Sequence, residues 1–119
     1  MLSQVIASSA LNGSIYVCNI EKQSVVCSRQ VDTDQDGTPL DLLFCDLSTS
    51  PVLFYGTTFG TVVGWDLRKP GDAVRFESEL RNGLLTALAA SGDESWLAAG
   101  TSNGVVGCWD LRFKLQVRT

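Results

Sequence analysis

Apolar residues along the chain fall in short runs broken by Gly, Asn, Asp and Pro, and the breaks recur about every ten residues. Almost no segment carries a helical period, so the pattern predicts antiparallel strands throughout. The expected strands cover residues 4–9, 14–20, 24–29, 40–46, 52–57, 60–66, 73–77, 84–90, 95–100, 105–111 and 113–118. In the last of these, Phe113, Leu115 and Val117 alternate with Arg112, Lys114, Gln116 and Arg118, as in an outer edge strand with one packed and one solvated face. Charges on such a strand also deter edge-to-edge pairing.

The strand pattern repeats. Gly64-Trp65-Asp66-Leu67-Arg68 recurs 44 residues later as Cys108-Trp109-Asp110-Leu111-Arg112, and the register holds without gaps back to Gly56 and Gly100. A worn third copy lies 47 residues upstream of the first, with Cys18 in the Trp column and Asn19 in the Asp column. A period of roughly 40–45 residues closing on Trp-Asp marks a blade of a WD-repeat β-propeller. The expected fold is therefore all-β: a partial WD-repeat β-propeller of about two and a half blades of antiparallel four-stranded sheet. Residues 1–119 form one propeller segment, divided into an incomplete first blade at 1–31, a second at 32–77 and a third at 78–119. The chain enters at the strand preceding a Trp-Asp strand. Gly13, Gly60 and Gly104 mark the hairpin turns, and Asn12-Gly13 and Asn103-Gly104 suit a two-residue turn with positive φ.

Composition narrows the function. With 45% apolar and 18% charged residues, the 119-residue chain has the makeup of a packed globular protein. A propeller closes with typically four to eight blades, so this length reads as a segment of a longer protein whose end faces need cover. The net charge of −4 and the absence of a Lys/Arg cluster exclude a polybasic nucleic-acid or anionic-membrane surface. No apolar stretch is long enough for direct membrane insertion, and the first residues lack a signal-peptide pattern, which makes the cytoplasm the expected location. The four cysteines show no Cys-x-x-Cys spacing and there is no histidine, so no common zinc site is expected. Cys18 and Cys108 read as small buried hydrophobes in strands.

No catalytic constellation is present: the chain lacks a histidine base, a nucleophile elbow and a glycine-rich phosphate loop. The expected catalytic residues and cofactors are none. Asp32, Asp34 and Asp36, followed by Gly37, place three carboxylates at alternate positions and form a weak calcium candidate. Leu40 and Leu43 stand where calcium loops carry further acidic ligands, which favours a solvated acidic inter-blade loop. The buried His, Ser/Thr and Asp network of many Trp-Asp repeats cannot form here, so Trp65 and Trp109 must rely on apolar packing. The structural signature is Trp65, Asp66, Arg68, Trp109, Asp110 and Arg112; Asp and Arg two apart on a strand share a side and can pair at the surface.

From Val52 to Val117 the chain resembles the propeller of the regulatory subunit family of the class III phosphatidylinositol 3-kinase complex. The resemblance rests on Val63 to Arg68, Gly83-Leu84-Leu85-Thr86, Trp96-Leu97, Gly100-Thr101-Ser102 with Gly104, and Cys108 to Leu115. It implies a non-catalytic scaffold or protein-interaction segment acting in autophagy and endosomal or vacuolar sorting. The implied partners are the lipid-kinase catalytic subunit and a Beclin-type subunit. The implied location is cytoplasmic, peripheral on endosomal and autophagic membranes through the complex. The family's kinase-like domain has no counterpart in these residues. The Trp-Asp-x-Arg tetrads also resemble the box by which some propellers dock onto cullin ubiquitin-ligase adaptors, the alternative reading. Phe59 and Asn103 do not supply the acid which that box carries at the hairpin turn.

Overall fold

The structure, a computed structural model, describes residues 5–47, 50–67, 72–77, 84–91, 96–111 and 115–118. Eleven strands run through these residues, and none of them is helical. β1 (Val5–Ser9), β2 (Ser14–Asn19) and β3 (Ser24–Gln30) form the first sheet. β4 (Pro39–Leu47), β5 (Ser50–Thr57), β6 (Thr61–Asp66) and β7 (Asp72–Glu77) form the second. β8 (Leu85–Ala90), β9 (Trp96–Thr101), β10 (Val106–Asp110) and β11 (Leu115–Arg118) form the third. Each sheet is an antiparallel meander cut from one stretch of chain. The first holds three strands rather than four, lacking a counterpart of the innermost strands β4 and β8.

The repeat seen in the sequence holds at the level of strand register. Leu53 pairs with Trp65 and Tyr55 with Val63; Leu97 pairs with Trp109 and Ala99 with Gly107; Ile6 pairs with Cys18 and Ser8 with Tyr16. These three sets occupy one face of successive sheets. The opposite face carries Phe54 against Gly64, Ala98 against Cys108, and Ala7 against Val17.

Stacking of the faces makes two cores. Ile15, Val17 and Val31 of the first sheet and its following loop pack on Leu53, Tyr55, Val63 and Trp65 of the second. Cys45, Val52, Phe54 and Val62 on the second sheet's other face pack on Leu85, Leu97, Ala99, Trp109 and Leu111 of the third. The middle sheet is covered on both sides: every residue of β6 is buried, whereas β1 alternates between half-buried and exposed positions. At about 25 cal/mol per Å² of apolar surface, these seams are the main favourable term in the fold.

The hairpin turns differ from the two-residue geometry that Asn12-Gly13 and Asn103-Gly104 predict. In these three turns positive φ falls on the glycines, at +92° for Gly13, +83° for Gly60 and +82° for Gly104, while Asn12 and Asn103 take ordinary φ values. Gly60 N–H donates to Thr57 C=O, and Gly104 N–H to Thr101 C=O. A turn closed this way and ending on a left-handed glycine is the longer hairpin connection rather than the two-residue one. Thr57 and Thr101, one repeat apart, use their hydroxyls alike: Thr61 N–H donates to Thr57 Oγ1 and Val105 N–H to Thr101 Oγ1. The first hairpin has Ala10 there, and Asn12 Oδ1 accepts from Ser14 N–H instead. In the second and third sheets a further repeated tie joins the hairpin to the residue just before the innermost strand. Thr38 N–H donates to Thr58 Oγ1, and Leu84 N–H to Ser102 Oγ.

Close approach between sheets depends on a bare backbone at Gly56. A methyl group there would lie 2.8 Å from Leu85 Cδ1 and 3.1 Å from Leu85 Cβ, and a Cβ cannot swing away. Its repeat partner Gly100 has nothing within 4 Å of the same point. Gly56→Ala is expected to cost about 1–3 kcal/mol through overpacking, while Gly100→Ala leaves stability within about 0.5 kcal/mol. Urea unfolding of both variants checks the contrast, and equal losses at the two positions would refute it.

Candidate interaction surfaces

The functional geometry of this chain lies in its sheet-to-sheet seams and in the faces and tips that the seams leave open. Two polar ties span the seams. β8 is the inner edge strand of its sheet, and an edge strand leaves every second N–H without a ladder partner. Leu88 N–H on that strand donates to Asp41 Oδ2 on β4 at 2.8 Å, while Asp41 Oδ1 accepts from Leu42 N–H at 3.0 Å. The other tie links the first two sheets: the Arg29 guanidinium lies 5.6 Å from the Trp65 ring centroid and 5.9 Å from that of Tyr55. A cation over two ring faces at this range stabilises by about 1 kcal/mol.

Trp65 and Trp109 each occupy a seam core, at 7% and 2% exposure, in keeping with the apolar packing expected of them. Asp66 and Asp110 are buried beside them at 6% and 8%. Arg68 and Arg112 lie outside the described residues, so the Trp-Asp-x-Arg tetrads are seen only as far as Leu67 and Leu111. Gly13, Gly60 and Gly104 sit at the β1–β2, β5–β6 and β9–β10 hairpin turns. At the tips, Leu11 and Phe59 are exposed.

The acidic loop is organised by its own hydrogen bonds. Asp32 Oδ1 accepts from Asp34 N–H and Gln35 N–H, the geometry of an Asx turn. Asp36 pairs with Arg75 of β7. Among the described residues no three His, Cys, Asp or Glu side chains are placed to hold a metal ion together.

The outermost faces of the arc are uncovered. On the first sheet Ile6, Tyr16 and Val26 are exposed, and Cys18 is half-buried. On the third, Trp96 and Val106 are exposed and Cys108 is half-buried. Cys18 and Cys108, expected as small buried hydrophobes, are half-buried on the faces that pack on no other sheet among the described residues. Cys45 is the buried cysteine, and burial pushes the Cys27 thiol above its ordinary value.

Sequence reasoning missed Asp41 and Arg29, whose partners lie on other sheets. The Thr57 and Thr101 hydroxyls had a legible signal, since both follow a glycine at the repeat spacing.

These features define a class: an all-β arc of consecutive antiparallel sheets, a partial β-propeller. Two solved structures share the fold. A computationally designed protein, Ika4, superposes with a TM-score of 0.79 and 22% identity over 99% of this chain and 67% of its own. The designed Ika8 gives the same score and identity over 99% of this chain and 34% of its own. No protein-family model matches.

The sequence relatives are more specific. The probable serine/threonine-protein kinase vps15 of Dictyostelium discoideum is 32% identical over 123 aligned positions, which are 94% of this chain and 6% of that protein. Serine/threonine-protein kinase VPS15 of Arabidopsis thaliana is 28% identical over 84% of this chain and 7% of its own length. The putative VPS15 kinase of Komagataella pastoris is 32% identical over 58% of this chain and 5% of its own. The chain is VPS15-related, and it spans less than a tenth of the length of these relatives. No helix among the described residues is long and apolar enough to cross a membrane.

Two measurements test the seam. Asp41→Ala leaves Leu88 N–H without its charged acceptor, and chemical denaturation is expected to show a loss of about 1–3 kcal/mol; an unchanged midpoint would rule the tie out. Because burial raises its pKa and so lowers its thiolate fraction, Cys27 is expected to react with iodoacetamide at pH 8 more slowly in the folded chain than in denaturant, followed by mass spectrometry of the alkylated peptide.

Proposed function

We propose that this segment is a non-catalytic scaffold of a class III phosphatidylinositol 3-kinase regulatory subunit, acting in autophagy and endosomal or vacuolar sorting. The observation carrying this reading is the 32% identity to Dictyostelium vps15 across 94% of the chain. The sheet architecture supports it. Rigid strands stacked side by side present loop tips and strand edges at fixed positions, a surface suited to holding partners rather than turning over a substrate. On this reading residues 1–119 belong to one WD-repeat propeller, with blades at 1–31, 32–77 and 78–119. The partners are the lipid-kinase catalytic subunit and a Beclin-type subunit, and the location is cytoplasmic, on endosomal and autophagic membranes through the complex.

Affinity purification of the native protein tests the reading. Stoichiometric recovery of a class III lipid-kinase catalytic subunit with a Beclin-type subunit is the expected result, and their consistent absence would overturn it. Recovery of a cullin adaptor that is lost on Arg68→Ala and Arg112→Ala would support the ubiquitin-ligase reading of the two Trp-Asp-x-Arg tetrads instead.

A further inference from the structure

The outer rim of the fold leaves one strand edge bare. The last strand of each meander, β3, β7 and β11, pairs on one side only, with β2, β6 and β10. Sheets stack on one another through their faces, so a sheet added before or after this segment covers a face and not these edges. An edge strand is a template for pairing with another chain, and proteins ordinarily blunt it with charge or shortness. β7 carries Asp72, Arg75 and Glu77 within six residues, and β11 is four residues long and ends on Arg118. β3 runs for seven residues, Ser24-Val25-Val26-Cys27-Ser28-Arg29-Gln30, with one charge among them.

That charge does not guard the edge, because the Arg29 guanidinium is drawn inward over the Tyr55 and Trp65 rings of the second sheet. Val25 and Val26 are 57% and 52% exposed, and Ser28 and Gln30 are exposed as well. Val25 stands opposite Cys18, and its register counterparts are Asp72, opposite Trp65, and Gln116, opposite Trp109. The repeat thus places a polar residue at this rim position even on the second sheet, whose two faces are covered. The exposure of Val25 therefore belongs to the rim and not to an absent neighbour. The backbone is set for pairing. Val31 N–H donates to Gly13 C=O on the β2 side. Alternation along an antiparallel strand then turns the N–H groups of Arg29 and Cys27 toward β2 and those of Ser28 and Gln30 toward the outer edge. Just past Gln30, the exposed Asp32 and Asp34 set negative charge at one end of the edge, while Asp36 is already paired with Arg75.

We propose that the outer edge of β3 receives an extended segment of a partner protein, added to the sheet as a further strand. The segment that fits is uncharged and β-branched where it lies along Val25 and Val26, with a Lys or Arg at the end that comes beside Asp32 and Asp34. Main-chain hydrogen bonds to Ser28 and Gln30 hold it, and the two carboxylates set its register. The inference concerns this edge alone and does not depend on which complex the protein enters.

Fluorescence anisotropy tests it, with the native protein and a labelled synthetic peptide that alternates Thr and Val between terminal Lys residues. Saturable binding is expected, with amide hydrogen exchange slowed at Ser28 and Gln30 and unchanged along β7. Ser28→Pro removes an outward N–H and leaves the ladder to β2 intact, a change that an edge strand tolerates. It is expected to weaken binding about tenfold, the size of one or two lost backbone hydrogen bonds. Val25→Lys puts a charge on the edge at a position where the other sheets carry polar residues, and a similar loss is expected. Both variants are expected to keep the melting temperature of the unaltered protein, and the exchange map of that protein stands whether or not they do. The same peptide with terminal Glu is expected to bind several-fold more weakly. Absence of saturable binding would overturn the proposal, as would exchange protection away from β3, full affinity in either variant, or equal affinity for the Lys-ended and Glu-ended peptides. A native protein that dimerises through β3 and so excludes the peptide would also overturn it, giving the edge to a second copy.

Discussion

Leu85 reaches the backbone of the preceding sheet because Gly56 carries no side chain, and the seam between the second and third sheets closes around that contact. A sheet can bury an apolar face only against something equally flat and equally close, and side-chain bulk at the inner end would hold the sheets apart. Where the contact is made, Phe54, Val52 and Val62 lose all but a trace of their exposure. At the equivalent Gly100 nothing approaches, and Val106 stays half in water. The same strand sequence pattern thus gives a core on one side of the molecule and an open face on the other. The presence or absence of a neighbouring sheet decides which.

The polar groups follow the same logic of position. Backbone donors at the hairpins are satisfied locally, by Thr57, Thr101 or Asn12. Donors on an inner strand edge have no local solution, and Leu88 N–H is met by a carboxylate from the sheet before. Asp41 thereby couples the hydrogen-bonding of one sheet to the packing of the next. Arg29 does the equivalent at the first seam, its charge held against the aromatic faces of Tyr55 and Trp65.

Much of this architecture is legible in the sequence because the repeat is local. Short apolar runs broken by Gly, Asn, Asp and Pro marked every strand found, and the spacing of Trp65 and Trp109 located the two four-stranded sheets. The three turn glycines were legible for the same reason, since a left-handed φ favours glycine wherever it occurs. Asn12 misled, because its side chain accepts a hydrogen bond while its backbone stays in the ordinary region. The half-burial of Cys18 and Cys108 was not legible for a different reason. A strand residue's burial is set by what lies across its face, and no short sequence window contains that information. Asp41 and Arg29 were silent on the same ground, as both act on residues of another sheet.

Each sheet is a single uninterrupted stretch of chain, which has a bearing on the order of events during synthesis. Strands of one sheet emerge from the ribosome consecutively and need close only short hairpins to pair. The first sheet, with its Ile15 and Val17 face, is complete before β4 is made, so the second sheet forms against a surface already waiting for it. The third then adds to the far side of the second. Assembly can advance in one direction with the growing chain, each new sheet closing on the face of the one before it.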